Sequence, residues 1–324
     1  MVKCEISMTG EATGMETMHV LVTGGAGFIG SHSVDLLLAS GARVRVLDNF
    51  SRGRRENLVN HTQMEIITGD IRDKGTVDAA LAGITHVLHL AANVSVVTSV
   101  EQPLTSAAVN LTGFLNVLEG ARQLGVHRMV YASSAAVYGV PVKLPVDEAM
   151  PVAPISPYGL EKFINDQYAA LYQELYDFSA MALRYFNVYG PRQDPSSPYS
   201  GVISIFGSRL RDGKPLTIYG DGQQTRDFIY VGDVARANIA ALRGVANGVC
   251  NVVAGHTVTL LDMLDMLDTL ATVAGVTPVV SHGEARTGDI RHSSAVNAKL
   301  RTVLKVDGLT SLREGMQQLW TAGV

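Results

Sequence analysis

Hydrophobic and polar positions from residue 19 onward alternate between short apolar runs and longer stretches with helical spacing. The apolar runs are rich in β-branched residues, as strands that are covered on both faces should be. Helical patterns separate them, for example at 28–40, 104–124 and 157–176. This alternation predicts βαβ units and therefore an α/β fold with a doubly wound parallel sheet. The predicted strands are 19–23, 43–48, 64–68, 86–90, 128–132 and 179–184.

The pattern changes after Asn187. The segment 189–199 is rich in proline and is interpreted as a loop, and 282–291 is also loop-rich. We interpret this part of the chain as a smaller, discontinuous domain over the carboxyl ends of the sheet, where ligands bind in such folds. One continuous domain with a long C-terminal appendage is the alternative. Helices are predicted in this part at 202–212, 232–243 and 260–274.

The predicted boundaries divide the chain into three parts. Residues 1–18 are polar, carry scattered methionines and lack the apolar stretch of a signal peptide, so we interpret them as a disordered or vector-derived extension. The sheet domain spans 19–188, and 228–255 is expected to return to it. The smaller domain, which we expect to bind the substrate, comprises 189–227 and 256–324.

Composition excludes several classes of function. Of 324 residues, 47% are hydrophobic and 17% are charged, which is typical of a globular protein. The net charge of −4 gives no basic surface for nucleic acid or an anionic membrane, so neither partner is expected. The two cysteines, Cys4 and Cys250, are too few for a disulfide framework or a metal cluster. We therefore expect no metal and a reducing, cytoplasmic location.

A glycine-rich turn follows the first predicted strand and begins a predicted helix. Gly24 and Gly27 permit a tight turn whose backbone amides can approach a pyrophosphate, and Gly30 lets the helix pack close to the strand. Asp48 ends the second strand, where a carboxylate can bind the adenosine ribose hydroxyls and repel a 2′-phosphate. The pattern predicts a Rossmann-type domain that binds NAD rather than NADP. A simple turn formed by Asp48 and Asn49 is the alternative.

Polar and small residues also end the later strands, at the same edge of the sheet. Asp70 and Ile71 follow the third strand and could hold the adenine. Residues 90–92 end the fourth strand and could pass beneath the nicotinamide. Ser134 ends the fifth strand, where its hydroxyl could bind a substrate oxygen. Each motif alone could equally reflect strand-end packing.

Tyr158 and Lys162 lie four residues apart in a predicted helix, which places both side chains on one face. A lysine ammonium beside a tyrosine hydroxyl stabilises the phenolate and lowers the tyrosine pKa. A phenolate can take a proton from an alcohol while a hydride leaves the same carbon. This spacing alone is common on amphipathic helices. It becomes informative because a glycine-rich turn lies upstream.

Together these motifs resemble the extended short-chain dehydrogenase/reductase family, and within it the nucleotide-sugar epimerases, over residues 19 to about 319. They comprise TGGAGFIG at 23–30, Ser134 with Tyr158 and Lys162, RYFNVYGP at 184–191, QTRDF at 224–228 and RTGD at 286–289. The resemblance implies bound NAD, a UDP-sugar substrate and a homodimer formed through helices 104–124 and 157–176.

The resemblance also implies roles for individual residues. Asn187, Arg226 and Arg286 look like contacts to the UDP diphosphate, Asp289 like a ribose contact, and Tyr219 falls near the uracil-binding strand. Two guanidiniums suit a doubly charged diphosphate, although Arg226 could instead form a buried pair with Asp227. The implied NAD contacts are Gly24, Gly27, Phe28, Ile29, Gly30, Asp48, Asn49, Asp70, Ile71, Leu90, Ala91, Ala92, Asn110, Tyr158, Lys162 and Tyr185. The implied substrate contacts are Ser134, Asn187, Val202, Tyr219, Arg226, Arg286, Asp289 and Ser293.

The residues after Ser134 indicate which reaction follows. Related dehydratases carry an Asp-Glu pair there and related decarboxylases a nearby glutamate, whereas this chain has Ala135 and Ala136, which cannot transfer a proton. The resemblance therefore implies C4 epimerisation through a transient 4-keto sugar, with Ser134, Tyr158 and Lys162 as the catalytic residues.

The residue at position 293 indicates which sugars the protein accepts. In similar epimerases a tyrosine at this position goes with UDP-glucose and UDP-galactose only, and a small residue with N-acetylated sugars as well. We therefore expect UDP-N-acetylglucosamine and UDP-N-acetylgalactosamine as preferred substrates, with UDP-glucose and UDP-galactose also accepted. Val94 departs from some UDP-galactose epimerases, which have a cofactor-contacting lysine there. A UDP-glucuronate 4-epimerase, or a non-catalytic NAD-binding protein of the same fold, remains the alternative, and turnover of a UDP-sugar would discriminate between an enzyme and a scaffold.

Overall fold

The protein is built around a parallel sheet, flanked by helices, with a second lobe beyond its carboxyl edge. The computed structural model describes residues 14–195, 201–273, 279–284 and 291–322. Its strands are β1 (His19–Thr23), β2 (Arg43–Asp48), β3 (Met64–Thr68), β4 (His86–His89), β5 (Arg128–Ser134), β6 (Ala180–Tyr185), β7 (Asn187–Tyr189), β8 (Leu216–Tyr219), β9 (Thr225–Tyr230), β10 (Gly248–Val252), β11 (Thr257–Thr259) and β12 (Val280–Gly283).

The helices follow the alternation of strand and helix seen in the sequence. They are α1 (Phe28–Ala39), α2 (Lys74–Leu81), α3 (Val96–Glu101), α4 (Pro103–Ala107), α5 (Phe114–Gln123), α6 (Pro157–Tyr176), α7 (Val202–Arg211), α8 (Val231–Arg243), α9 (Leu260–Val273), α10 (Ala298–Thr302) and α11 (Leu312–Ala322). A π-helix at Ala108–Gly113 joins α4 to α5, and single 3₁₀ turns occur at Arg55–Asn57 and Ala135–Tyr138.

Among the described residues, the main sheet has seven parallel strands in the order β10-β6-β5-β4-β1-β2-β3. The part 3-2-1-4-5-6 is the order of a doubly wound dinucleotide-binding fold, which confirms the predicted fold class. Side chains alternate across β1, so Val20 and Val22 pack under α1 and α8, whereas Leu21 packs under α2 and α5. The sheet is thus buried on both faces, and its carboxyl edge is left for ligands.

The second lobe has a core of its own. Strands β7, β9 and β11 form one small sheet and β8 pairs with β12, as far as the described residues show. Helices α7, α9 and α11 pack on them through buried side chains that include Phe206, Met263 and Leu319. Between these elements the chain returns to the main sheet as α8 and β10, and β10 pairs with β6.

Several predictions about local structure were wrong in detail. The helix predicted at 104–124 begins at Pro103 and is interrupted by the π-helix. The stretch 282–291, expected to be loop, begins inside β12. Met15 is 2% exposed and packs in the main core, so at least residues 14–18 of the supposed extension belong to the fold. Residues 1–13 lie outside the described residues. Within the part of the chain that the structure describes, no helix has the length and apolar character needed to cross a membrane.

Candidate active site

A cleft of about 1620 Å³ lies between the carboxyl edge of the main sheet and the second lobe. Its walls include the turns after β1, β2, β3 and β4 on one side, and residues of β7, α7, β8 and β9 on the other. Single-ligand pockets commonly have volumes of roughly 300–1,000 Å³. The cleft is therefore large enough for two ligands, one at the sheet edge and one beneath the second lobe.

The glycine-rich turn leaves room for a phosphate group. Gly24 has φ +70°, and a Cβ there would lie 2.7 Å from the Ala91 backbone nitrogen. A Cβ on Gly30 would lie 2.1 Å from the Gly24 carbonyl oxygen. Helix α1 begins at Phe28 directly after the turn, so its free amide groups face the cleft at the position where Rossmann folds hold a pyrophosphate. Ile29 lines the same wall. These residues fit a dinucleotide.

Asp48 connects this turn to the end of β2. Its carboxylate accepts hydrogen bonds from the backbone nitrogens of Ala26, at 2.9 Å, and Phe50, at 2.8 Å. The side chain is largely buried but still lines the cleft. Asp48 therefore fixes the glycine-rich turn, and it stands in the wall where the sequence predicts a ribose contact.

The predicted adenine contacts lie at the next strand end. Asn49 donates to Asp70 at 2.9 Å, and Arg72 donates to both carboxylate oxygens of Asp70. The hydrogen bonds from Arg72 hold the pKa of Asp70 well below its usual range, so the group is a stable anion. Other predicted cofactor contacts that line this side of the cleft are Ile71, Leu90, Ala91 and Ala92.

Helix α6 brings two of the predicted proton-transfer residues to the cleft. Ser156 caps it by accepting from the Gly159 nitrogen, and Pro157 occupies the first turn, so Tyr158 points into the site from the helix start. The Tyr158 side chain hydrogen-bonds to Ser134 at the end of β5. Lys162 donates to the Ala132 carbonyl at 2.9 Å, and its ammonium lies 5.9 Å from the centre of the Tyr158 ring.

The expectation that Lys162 lowers the Tyr158 pKa does not match the structure. Burial raises the pKa of Tyr158 above its ordinary value, the hydrogen bond with Ser134 opposes this, and Glu161 adds to it. Burial also lowers the pKa of Lys162 to about 8. Removal of both groups from water disfavours their charged forms, and this effect is larger than the attraction between them. The protein alone therefore does not produce an acidic tyrosine.

Asn110 lies behind the cleft rather than in its wall. It is in the π-helix and is 2% exposed. Its side chain accepts from the Asn93 nitrogen at 2.8 Å and donates to the Asn93 carbonyl at 2.9 Å and to Glu161 at 2.6 Å. Asn110 thus fixes the segment after β4, and Asn93 rather than Asn110 lines the cleft. Tyr185 does line it, with its hydroxyl donating to Asn238 at 2.6 Å.

On the opposite wall, the predicted substrate contacts Asn187, Val202, Tyr219 and Arg226 all line the cleft. Arg226 donates to the backbone carbonyls of Thr225 and Arg291. The alternative of a buried pair with Asp227 is wrong. Successive strand residues point to opposite faces.

Asp227 points into the protein interior, where its carboxylate accepts from the Ala254 nitrogen at 3.0 Å. Burial raises the pKa of Asp227 to about 7. Within the described residues its carboxylate forms no ion pair with arginine. Arg226 is thus directed by β9 toward the cleft rather than toward its neighbour in the chain.

Three predicted substrate contacts are not placed in the cleft wall. Arg286 and Asp289 lie outside the described residues. The Ser293 nitrogen donates to the Thr225 carbonyl at 3.1 Å, so Ser293 lies beside Arg226, but it is not among the described residues that form the wall.

Sequence reasoning also missed a segment, 190–195, that crosses from β7 to the dinucleotide side of the cleft. The His32 ring contacts the Pro191 carbonyl oxygen at 2.9 Å, and Arg192 forms an ion pair with Asp35 at 2.8 Å. Both partners are on α1. Pro191 and the glycine before it were the only local signals, and they indicated a loop without indicating where it leads.

Comparisons with known proteins agree with this geometry. Residues 20–255 match the model of the NAD dependent epimerase/dehydratase family. The chain is 39% identical to a UDP-glucose 4-epimerase of Mycolicibacterium smegmatis, over 92% of this chain and 96% of the relative. A Methanobrevibacter ruminantium UDP-N-acetylglucosamine 4-epimerase, in complex with UDP-N-acetylmuramic acid, superposes with a TM-score of 0.89 at 36% identity, covering 94% of this chain and 97% of that one. A Thermus thermophilus UDP-glucose 4-epimerase in complex with NAD superposes with a TM-score of 0.86 at 41% identity, covering 94% and 98%.

Proposed function

Because the chain belongs to the NAD dependent epimerase/dehydratase family, we propose that it interconverts UDP-hexoses that differ in configuration at C4. The protein is an NAD-dependent nucleotide-sugar epimerase. One observation supports the reaction most directly. The Tyr158 hydroxyl, hydrogen-bonded to Ser134, lines the same cleft as the glycine-rich turn, so a proton acceptor and a nicotinamide can act on one carbon.

NAD, when bound, supplies a reversible hydride acceptor and a positive charge near the phenol. The protein's own residues then have distinct tasks. Tyr158 accepts the proton of the sugar O4 and later returns it, while Ser134 hydrogen-bonds O4. Lys162 is an ammonium group held at the Ala132 carbonyl, beside the same ring.

The surroundings of Ser134 favour epimerisation over elimination. Ala135 and Ala136 form the 3₁₀ turn after β5, and the Ser134 hydroxyl accepts from the Ala136 nitrogen at 3.1 Å. Neither alanine side chain can protonate a leaving hydroxyl. The 4-keto sugar is therefore reduced again at C4. When the sugar turns over and hydride returns to the opposite face, the product is the C4 epimer, and no net oxidation results.

Turnover of UDP-sugars tests this function. The purified protein is incubated separately with UDP-glucose, UDP-galactose, UDP-N-acetylglucosamine, UDP-N-acetylgalactosamine and UDP-glucuronate, and the C4 epimers are separated by chromatography. We expect each active pair to reach the same mixture from either side, without accumulation of reduced cofactor. Product from UDP-glucuronate alone would support the alternative substrate, and no product from any sugar would support a non-catalytic protein.

For the preferred sugar we propose the N-acetylated pair, with UDP-glucose and UDP-galactose also accepted. The support is the small side chain of Ser293, whose backbone bond to Thr225 holds it next to Arg226. A larger side chain at this position would occupy space beside the arginine that lines the substrate side of the cleft.

Replacing Ser293 with tyrosine should therefore exclude the bulkier substrate. We expect Ser293→Tyr to lose epimerisation of UDP-N-acetylglucosamine and to keep that of UDP-glucose, because an acetamido group would clash with the ring and a hydroxyl would not. The measurement is kcat/KM for both sugars. Ser293→Ala is the matched control and should keep both activities. A parallel loss for both sugars in Ser293→Tyr would mean that residue 293 serves packing and not selection.

We further propose that two copies of the chain associate through the expected segments 104–124 and 157–176, to which the exposed side chains of α3 are added. Leu104 is 85% exposed and Leu175 65% exposed, which is unusual for large apolar side chains on helices. A second copy would bury this face in a helical bundle. Other exposed apolar residues of these helices are Val97, Val100, Leu160 and Leu171.

Light scattering tests this association. The parent protein should have the mass of a dimer, and Leu104→Glu should have that of a monomer, because an unpaired carboxylate would be buried at the contact. Val245→Glu is the control, since Val245 is 92% exposed on the loop after α8, which packs on the other face of the main sheet from α6. A parent protein that is monomeric at micromolar concentration would contradict the proposal.

A further inference from the structure

A buried ion pair that none of the steps above uses lies behind the catalytic residues. Arg184 of β6 donates to Asp166 of α6 through two nitrogens, at 3.0 and 3.1 Å. The two side chains are only 4% and 3% exposed. The hydroxyls of Ser133 and Tyr131 also donate to the Asp166 carboxylate, at 3.2 and 3.3 Å. The pair therefore has a complete set of hydrogen bonds within the core.

Stability alone is a weak reason to bury such a pair. Removing two charges from water costs several kcal/mol for each ion, and well-packed apolar residues are often at least as stabilising. The position of Asp166 is more informative. It follows Lys162 by one helical turn, so both side chains lie on the same face of α6. Ser133, which donates to Asp166, is adjacent in the chain to Ser134.

Lys162 is buried, so it depends more than an exposed lysine does on a nearby negative charge to keep its proton. It is 3% exposed, and its ammonium donates to a neutral carbonyl. Burial lowers the pKa of Lys162 to about 8, and Asp166 is the largest influence in the opposite direction, followed by Glu161. The geometry singles out Asp166 as the acid beside the lysine, because Lys162 donates to the Ala132 carbonyl while Asp166 accepts from the adjacent Ser133, so both side chains reach the same stretch of β5.

We propose that Asp166 is a positioning residue that keeps the Lys162 ammonium charged at neutral pH, and that Arg184 holds Asp166 ionised in the required place. Burial raises the pKa of Asp166, and the neighbouring Arg184 guanidinium opposes the rise. The inference builds on the proposed role of Lys162, but it concerns the protonation of the lysine rather than turnover.

Among the other titratable groups on the elements around Lys162, Glu161 adds a smaller effect in the same direction, and the others supply no negative charge beside the lysine. Burial lowers the pKa of His89 on β4 to about 3, so the imidazole is neutral. It also raises the pKa of the nearby tyrosines and of Cys250 on β10, so these groups keep their protons. Glu161, on α6 itself, accepts from Ser106 and Asn110. The tyrosines are Tyr131, Tyr138, Tyr158 and Tyr185, and the remaining acids, Glu101 of α3 and Glu174 of α6, are exposed.

Direct titration of the lysine tests the proposal. The NAD-containing protein is labelled at the lysine ε-carbons with ¹³C, the Lys162 signal is assigned by its absence in Lys162→Ala, and its shift is followed against pH. We expect Asp166→Asn, which keeps the shape of the side chain, to lower the Lys162 midpoint by roughly one to three pH units. The matched control is Asp233→Asn, since Asp233 is equally buried and is paired with Arg236 at 2.7 Å in another part of the core. In Asp233→Asn the midpoint of the Lys162 pH titration should be unchanged.

The double variant Asp166→Asn/Arg184→Gln covers the case in which Asp166→Asn does not fold, because it leaves no unpaired buried ion. Its Lys162 midpoint should also fall, since Asp166 and not Arg184 is the group that supports the lysine charge. The alkaline limb of the pH–rate profile, where loss of the Lys162 proton lowers the rate, should move to lower pH by the same amount. An unchanged midpoint together with reduced activity would overturn the proposal and leave a structural role. Absence of turnover in the parent would count against the proposed reaction, whereas the lysine titration would still decide this inference.

Discussion

Tyr158→Phe should lower kcat for UDP-hexose epimerisation by about 10²–10⁴-fold, the usual contribution of a positioned acid–base group. The phenyl ring keeps the packing of a residue that is only 9% exposed, and the variant lacks the hydroxyl that hydrogen-bonds to Ser134. Because the glycine-rich turn and Asp48 are unchanged, NAD content and the melting temperature should stay close to those of the parent. The measurements are steady-state kinetics, cofactor absorbance and thermal unfolding.

Tyr168→Phe is the matched control for this variant. Tyr168 lies on the same helix but is 39% exposed and outside the cleft wall, so its hydroxyl should not affect turnover. If Tyr158→Phe keeps more than a tenth of the parent activity, another group must accept the proton, and the assignment of Tyr158 would be wrong.

Gly30→Ala should lower the affinity for NAD by roughly 10–100-fold. The added Cβ would lie 2.1 Å from the Gly24 carbonyl oxygen and 2.8 Å from the Gly25 Cα. Helix α1 would therefore have to move away from the glycine-rich turn that precedes it. Overpacking of this kind typically costs about 1–3 kcal/mol, and about 1.4 kcal/mol of binding free energy is a factor of ten. The measurements are NAD binding by titration calorimetry after removal of the cofactor, and thermal unfolding, which should occur at a lower temperature.

Gly75→Ala is the control for the added methyl group. Gly75 is also helical, in α2, but a Cβ there would have only an ordinary contact at 3.4 Å with the Asp73 side chain. Its NAD affinity should match that of the parent. Equal affinity in Gly30→Ala would show that the turn can relax without loss, and that the close packing of α1 on the turn is not needed for the cofactor.

Elements with strong local signals could be predicted from the sequence. Strands β1, β2 and β3 have the predicted bounds because each is a short segment with at least two β-branched residues between turn residues. Helix α6 also has the predicted bounds, because Ser156 caps its start and Asp177, in the left-handed conformation, ends it. The short strands of the second lobe were missed. For example, β12 has four residues and is defined by pairing with β8, a partner remote in sequence.

The candidate site likewise has parts that could be predicted from the sequence and parts that could not. The glycine-rich turn and the Tyr158–Lys162 spacing are local motifs, and they could be recognised without a structure. The contact of Asn110 with Asn93 and that of His32 with Pro191 depend on how separate segments meet, and no local pattern contains that information. The effect of burial on the Tyr158 pKa was missed for the same reason. The individual cofactor contacts, the domain boundaries and the cytoplasmic location stay predictions.

The way in which the chain passes between the two lobes limits how the cleft can open. Within the described residues, it crosses from β6 to β7, from β9 to α8 and from β10 to β11, and it crosses twice more, into α10 and from α10 to α11. A lobe attached by a single connection can swing about that point, whereas five separate attachments resist rotation about any single axis. The lobes should therefore behave as one stiff body, and large ligands should enter and leave through movement of individual loops rather than through opening of the whole cleft.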